Sequence, residues 1–291
     1  MSAWEQEKEE KSREIIELAY ETNCIETIFN AEKKKHRYEG WILKNGTNSI
    51  YFINFRKGPG APKLMAKLGY VMGQMAIEEI PKDERDWFVG VEMAGIPIVQ
   101  AMSTAHYILV GHATGDELRA GYTRPFTQNK IRTVGEAVEE LGNLRENLER
   151  LGKWGSHRLV EADYEDGARI VIVDDMVTGG ESKLIAREVI NFDLEQRGLT
   201  GYSGHALVGI DRLQGAYDFL KKEGIELHCA APMNIEWLEG VMPAEQYEHL
   251  ERFVQDPSLY QDVGRDPKED RTKGENSPYM QEALDLARRV T

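Results

Sequence analysis

Two adjacent carboxylates, Asp174 and Asp175, stand between an apolar run and a glycine-bearing turn. The run, Ile170-Val171-Ile172-Val173, has the length and β-branched content of a buried strand. Thr178-Gly179-Gly180-Glu181-Ser182 follow the acids, and residues 183–190 have helical character. A turn of this kind aims several backbone N–H groups at one point, and the helix behind it adds the positive end of its dipole, which together make a phosphate cradle. The two acids beside the cradle can hold hydroxyl groups or Mg2+-bound water. A ligand with a phosphate on one side and a diol on the other, such as a ribose 5-phosphate, fits both halves. Taken singly, the same residues also fit a solvated turn with two surface acids.

In this order the segment resembles the signature of the type I phosphoribosyltransferases. There, an apolar strand, two acids and a Thr/Gly-rich loop grip the 5-phosphate of phosphoribosyl pyrophosphate (PRPP). The resemblance implies that Asp174 and Asp175 hold the ribose hydroxyls and that Thr178, Gly179, Gly180, Glu181 and Ser182 surround the phosphate. Glu181 stands where most of the family carries Thr, Ser or Gly. A carboxylate beside a bound phosphate is repulsive unless it points away. Either this cradle is less receptive to phosphate than usual, or Glu181 faces solvent.

Three further segments resemble the orotate phosphoribosyltransferase branch, and the likeness spans roughly residues 38–232. Residues 41–54 look like the N-terminal hairpin, which implies that Lys44 contacts PRPP or orotate and that Tyr51 and Phe52 pack against the flat base. Read from the residues alone, Lys44 is an ordinary turn lysine. Neighbours on a strand face opposite sides, so at least one of Tyr51 and Phe52 belongs to the hairpin core. Residues 89–98 look like the pyrophosphate loop, with Glu92, Met93, Ala94 and Gly95 leading into a helix whose first turn holds Pro97. Glu92 departs from the small residue or Pro common there. Residues 208–215 resemble the segment whose arginine faces orotate, here Arg212. A guanidinium suits a planar carboxylate because it is always charged and can bond it through two N–H groups.

The family's mobile catalytic loop is matched least closely. Arg124 is followed by Pro125 where a lysine is usual, and Lys153 and His157 only partly fit the second half of the pattern. The expected order of importance is Lys153, Arg124, His157, with Lys130, Arg132 and Arg158 as further cations. Each is equally readable as a solvated charge.

The resemblance implies transfer of a 5-phosphoribosyl group from PRPP to orotate, giving orotidine 5′-phosphate and diphosphate. It also implies Mg2+ carried by PRPP, water-linked at most to Asp174 and Asp175, and a homodimer. Two other readings stay open: a phosphoribosyltransferase for another nucleobase, and a non-catalytic PRPP-sensing regulatory protein. The departures at Glu92, Pro125 and Glu181 keep the second of these in play.

The elements that must position these residues alternate along the chain. Helices are expected over 5–31, 62–79, 96–105, 183–190, 216–223 and 278–289, and strands over 87–91, 108–110, 170–173, 205–210 and 225–228. A strand at 38–43 should pair with one at 50–55 across a Lys44-Asn45-Gly46 turn. Strands alternating with helices predict an α/β fold, a Rossmann-like, mostly parallel sheet covered on both faces, with an N-terminal hairpin hood. Ligands in such sheets bind at the carboxyl ends of the strands. The tips at Gly90-Val91-Glu92, Asp174-Asp175 and Asp211-Arg212 should therefore meet. The expected division is a phosphoribosyltransferase domain over 1–235, with an insertion at about 130–155, and a partly helical C-terminal extension over 236–291. Within the insertion, 134–151 reads as an amphipathic helix interrupted near Gly142-Asn143.

Bulk properties restrict the partners. With 36 basic and 50 acidic residues in 291, the net charge is −14, which disfavours nucleic acid as a main partner. Cys24 and Cys229 are the two cysteines and have no metal-ligand pattern around them. The charged N-terminus is unlike a signal peptide, and no long uncharged apolar stretch occurs, so no membrane role and a cytoplasmic location are expected.

Overall fold

A computed structural model describes residues 2–30, 40–42, 48–261 and 276–290. Lys44 and its turn lie outside the described residues, as do the basic stretch 33–37 and most of the polar part of the tail. By backbone proximity the chain divides into two units, residues 1–15 with 58–233, and residues 16–57 with 234–291.

The first unit is built on a six-stranded sheet. Its strands are β5 (Trp87–Gly90), β6 (Arg119–Thr123), β7 (Val160–Glu161), β8 (Ala168–Val177), β9 (Gly201–Asp211) and β10 (Glu226–Pro232), in the order β10-β9-β8-β5-β6-β7. All neighbours run parallel except β6 and β7. The sheet is buried on both faces. Val89, Ile170, Ile172, Ala206 and Val208 pack into one core with Leu184, Val189 and Ile190 of α6 (Glu181–Gln196) and Leu220 of α7 (Ala216–Lys222). The alternate residues Phe88, Val171, Val173 and Leu207 are also buried, and they face the other way. That face meets α2 (Pro62–Glu78) and α3 (Gly95–His106).

This arrangement fixes where a ligand can sit. From β5 the chain leaves through α3 on one face. From β8, the neighbouring strand, it leaves through α6 on the other. The two departing connections open a crevice at the carboxyl ends of β5 and β8, the switch point of an open parallel sheet.

Several elements differ from the sequence expectation. The run Ile108-Leu109-Val110 is not a strand. It continues α3 through a π-helical turn (Tyr107–Gly111) into α4 (His112–Thr114), and Ile108 and Leu109 are 69% and 55% exposed. A short apolar run has no period with which to choose strand over helix, and the third expected strand is instead β6. The insertion helix α5 (Val134–Arg150) is continuous through Gly142-Asn143. Thr133 caps it by accepting from the Glu136 N–H, and the Glu136 carboxylate returns to the Arg132 N–H. Leu141 and Leu148 are buried in the same core as α6. That burial outweighs the roughly 1 kcal/mol by which a glycine weakens a helix. β8 runs past the acid pair to Val177, so Asp174 and Asp175 lie within its last residues rather than after it.

In the second unit, the first helix stops early. α1 (Ala3–Glu21), which runs across the division at 15/16, ends before Asn23, whose φ is +55°. Ile25–Thr27 then forms β1, antiparallel to β4 (Tyr51–Ile53). The hairpin partner of β2 (Trp41–Ile42) is β3 (Asn48–Ser49), not the 50–55 segment. Local sequence shows that each segment is a strand, but not which strand it pairs with. The C-terminal residues add α8 (Ala244–Gln255), which the sequence reading did not foresee, and α9 (Pro278–Val290). Tyr260 is fully buried between them, with Phe253 at 5.4 Å and Tyr279 at 6.2 Å between ring centres. No helix among the described residues is long and apolar enough to cross a membrane.

One buried acid ties β7 to α6. Asp193, fully buried, accepts from the Leu159 and Val160 N–H groups at 2.5 and 3.1 Å and pairs with Arg197 at 2.6 Å. Asp193→Ala leaves two N–H groups without this acceptor and the Arg197 guanidinium, which keeps the Ala162 and Val160 carbonyls, without its counter-charge. We expect a loss of about 3–5 kcal/mol, read as a lower midpoint in urea unfolding.

Candidate functional site

Three strand ends meet as expected. Gly90 is in register with Val173, Asp174 with Val208, and Val177 with Asp211. Gly90 and Gly95 make the approach possible. A Cβ on Gly95 would stand 2.6 Å from the Val173 carbonyl and 3.3 Å from Asp174 Cα, and one on Gly90 would stand 2.7 Å from the Gly95 carbonyl. The first turn of α3 is thus pressed against the backbone of the acid pair. The connection before it is held by the Val91 N–H on the Val173 carbonyl at 2.8 Å and the Glu92 N–H on Thr123 Oγ1 at 3.0 Å. The Glu92–Met93 peptide is cis. Met93 is 67% exposed, so this loop presents backbone and not a packed side chain. Burial raises the Glu92 carboxyl above its usual range.

The cradle after β8 is equally constrained. Gly180 precedes α6 with φ +95°, and a Cβ there would stand 2.8 Å from Phe219 and 2.9 Å from Leu220. Only glycine combines that φ with that proximity to α7. Thr178 and Gly179 are exposed. Glu181 points away from the cradle and not into solvent. Its Oε1 accepts from the Val134 N–H at 2.9 Å, bracing the start of α5 against the start of α6. Its carboxylate is thus engaged away from the turn, which removes the expected repulsion and leaves the backbone N–H of Glu181 with the cradle.

The acid pair is not symmetric. Lys183, in the first turn of α6, is fully buried, and its ammonium donates to Asp174 Oδ2 and to the Met176 carbonyl, each at 2.6 Å. Asp174 Oδ1 accepts from the Asp175 N–H at 2.9 Å. Both oxygens of Asp174 therefore have partners within the protein, which fix the orientation of its carboxylate. Asp175 has no such cation on it, and its carboxyl neighbours that of Asp174 and the Met176 N–H. Burial first, and then the neighbouring Asp174 charge, push its carboxyl up to about 7. Lys183 was not singled out from the sequence, although a lysine in the first turn of a helix is a poor match to the dipole and so a signal that something acidic holds it.

Arg212 follows β9, is buried, and is fixed by its N–H on the Val177 carbonyl at 3.1 Å. It thus stands beside the end of β8. Burial raises Asp211 next to it.

Of the loop cations, Arg124 follows Thr123 and so stands at the strand end beside the Glu92 loop, whereas Lys153 and His157 are held elsewhere. Arg124 pairs with Glu161 at 3.1 Å and Arg158 with Asp163 at 2.9 Å. Between Lys153 and His157, Trp154 packs edge-on against Phe192 at 5.4 Å and Gly155 lies against the Gln196 carbonyl. Phe192 and Gln196 belong to the last turns of α6, whereas the cradle is at its start. α6 is sixteen residues long, so at ~1.5 Å per residue Phe192 stands roughly 16 Å and Gln196 roughly 22 Å along the helix from Glu181. In the second unit, Tyr51 is buried edge-on against Phe253 at 5.9 Å, so it is core and not a platform for a base. Phe52, half-buried, stacks on Trp41 at 5.9 Å.

Comparison with known proteins agrees with the motifs. The chain is 25% identical over 218 residues to the orotate phosphoribosyltransferase of Methanocaldococcus jannaschii, covering 75% of this chain and 92% of that one. It is 29% identical over 196 residues to that of Sulfolobus acidocaldarius, covering 67% and 77%. Among solved structures, the Francisella tularensis orotate phosphoribosyltransferase superposes with a TM-score of 0.50 at 17% identity, covering 82% of this chain and 96% of that one. The Leishmania donovani UMP synthase gives 0.56 at 18% identity, covering 84% of this chain and 42% of that one. These structures show the shared fold. No protein-family model matches the chain. The resemblance to type I phosphoribosyltransferases, closest to the orotate enzymes, stands on the curated relatives together with the motifs.

The asymmetry of the acids is testable. Lys183→Met leaves Asp174 buried without its counter-charge and is expected to cost about 3–5 kcal/mol in chemical denaturation. Asp175→Asn should fold normally. Folded Asp175 keeps its proton up to about pH 7, while an unfolded aspartate loses it near pH 4. Stability should therefore fall as pH rises between those values, and Asp175→Asn should remove that part of the slope in melts at a series of pH values.

Proposed function

We propose that this chain is an orotate phosphoribosyltransferase, moving the 5-phosphoribosyl group of PRPP onto a ring nitrogen of orotate. The observation that carries the reading is the pairing of Asp175 with two helix starts, at Gly95 and Gly180, around one switch-point crevice. PRPP needs one anion site for its 5-phosphate, another for its diphosphate, and an acceptor for its ribose hydroxyls between them. The curated relatives at 25–29% identity bear the same activity in their names.

The N–H groups of residues 178–182 take the 5-phosphate, and the α3 start takes the diphosphate. Asp175, once ionised, accepts from the ribose hydroxyls. Asp174 and Lys183 hold Asp175 in place. The bond from C1 of the ribose to the diphosphate oxygen breaks, a bond from C1 to the orotate nitrogen forms, and the proton on that nitrogen is lost. Negative charge builds on the leaving diphosphate, so catalysis rests on positioning and preorganised charge. Mg2+ carried on the diphosphate would neutralise part of that charge. Asp175 is the residue here that suits a water of that ion, since Asp174 already has Lys183 on it. Arg212 binds the orotate carboxylate through its paired N–H groups.

Arg124 already stands beside the Glu92 loop; for Lys153 or His157 to reach the diphosphate, the segment that carries them must move, in the manner of a closing loop. The exposed Tyr107, Ile108 and Leu109 give a second copy of the chain an apolar surface on which to form a homodimer. A cytoplasmic location goes with this reading.

Diphosphate release from PRPP is measured with orotate, with uracil, with each purine base and with no base. Release with orotate alone is expected. Release with a purine but not with orotate would reassign the base, and PRPP binding without release would make the chain a sensor. Asp175→Asn should lower kcat/KM about 10- to 100-fold through one lost charged hydrogen bond. In the wild type, kcat/KM should rise with pH through about 7.

A further inference from the structure

A second cluster of ionisable groups lies in the same sheet, away from the crevice. His205 on β9 and His228 on β10 are buried, and Glu226 on β10 is exposed. Glu226 is in register with His205 on the neighbouring parallel strand. His228 follows Glu226 by two positions and so shares its face of the sheet. One ligand atom from each of the three lies within 4.8 Å of the others. His205 precedes Asp211, at the crevice end of β9, by enough of the strand to stand about 20 Å from it at ~3.3 Å per residue.

The hydrogen bonds around the two rings constrain their protonation. Glu84 Oε2 lies 2.7 Å from His205 Nε2, and Glu79 Oε2 lies 3.2 Å from His228 Nδ1. A carboxylate accepts and does not donate, so each outer ring nitrogen carries the proton. The inner nitrogens, His205 Nδ1 and His228 Nε2, face each other at 3.1 Å. If both rings are neutral, two lone pairs then meet. Something electron-poor must lie between them: a shared proton, or a metal ion.

The surroundings favour the ion. Two nitrogens bound to one tetrahedral Zn2+ at about 2.0–2.1 Å stand about 3.3 Å apart, close to the 3.1 Å seen here. A metal-bound imidazole usually donates its other N–H to a carboxylate that fixes its tautomer and orientation, and both rings have that partner. Glu226 supplies a third, anionic ligand. A cavity of about 340 Å3, lined by Glu84, Tyr202, His205, Tyr217 and Glu226 among others, reaches the cluster and leaves room for a fourth ligand such as water.

We propose that His205 Nδ1, His228 Nε2 and the Glu226 carboxylate bind a divalent transition-metal ion, with Zn2+ the ion that two imidazoles and one carboxylate suit, at a site separate from the substrate crevice. Glu84 and Glu79 orient the two rings. Neither the phosphoribosyl reaction nor Mg2+ uses any of these groups.

The full chain, made without a histidine tag, is stripped with a chelator, equilibrated with Zn2+ and passed through a desalting column. One Zn2+ per chain is expected by elemental analysis, and one equivalent of Co2+ should give the visible absorption of a four-coordinate ion. Glu226 is exposed, so Glu226→Gln should leave the fold intact while weakening Zn2+ binding tenfold or more. Glu84→Gln should weaken it about 10- to 100-fold, as expected for an orienting carboxylate. Two results would overturn the proposal. One is a wild type that retains no more Zn2+ than the Glu226→Gln, His228→Gln double variant. The other is a 15N spectrum, recorded with equimolar Zn2+, that shows a proton shared between the two rings.

Discussion

The geometry of the crevice depends on one buried ion pair. Lys183 sits in the first turn of α6 with its ammonium enclosed by Asp174, the Met176 carbonyl and Ser182. A cation near a helix start is opposed by the dipole, and a buried ammonium is costly to desolvate. The arrangement holds only because a carboxylate and a carbonyl from the end of β8 meet it at 2.6 Å. The pair therefore closes the connection from strand to helix on itself. It fixes how far the turn can bulge, orients the N–H groups of that turn, and holds the Asp174 carboxylate in one orientation. Removing the Asp174 charge would also remove part of the force that keeps Asp175 protonated, since Asp174 is second only to burial among the causes of its upward shift, whereas removing Lys183 would add to that force.

Much of the fold was legible because its signals are local. Short apolar runs ending in glycine or acidic residues marked β5, β8 and β9, and helical character marked α2, α5 and α6. What failed was pairing and one short apolar run. Ile108-Leu109-Val110 carries strand-like residues in a helical continuation, because three residues are too few to show a period. β4 pairs with β1 and not with β2; the nearest strand in sequence was the natural guess, and the register came from a more distant one.

The site shows a different boundary. Positions were readable from motif order, but side-chain commitments were not. Glu181 stands in the cradle by sequence, yet its carboxylate serves the Val134 N–H, 47 residues away in the chain. Lys153 and His157 were chosen as cations, yet Trp154 between them anchors the stretch on Phe192. Tyr51 and Phe52 were paired as a base platform, and the alternation of a strand put Tyr51 into a core. In each case the residue type was judged correctly as polar, cationic or aromatic, and the partner decided its use. Partners come from tertiary structure, which a single chain of letters does not list.

His205 and His228 extend the same point. Two histidines on consecutive strands, 23 residues apart, form no recognisable ligand spacing. They meet because parallel strands repeat the same face every second residue and because β10 follows β9 directly in the sheet. The carboxylates that orient them come from the end of α2 and the turn after it, elements that cross that face for packing reasons of their own. The pair and the crevice share β9 but no partner residue, and at about 20 Å they are far enough apart that substitutions at one should add to those at the other. A parallel sheet can thus hold two polar sites on one strand without either compromising the other, provided the apolar residues between them, here Ala206 to Ile210, stay fully packed.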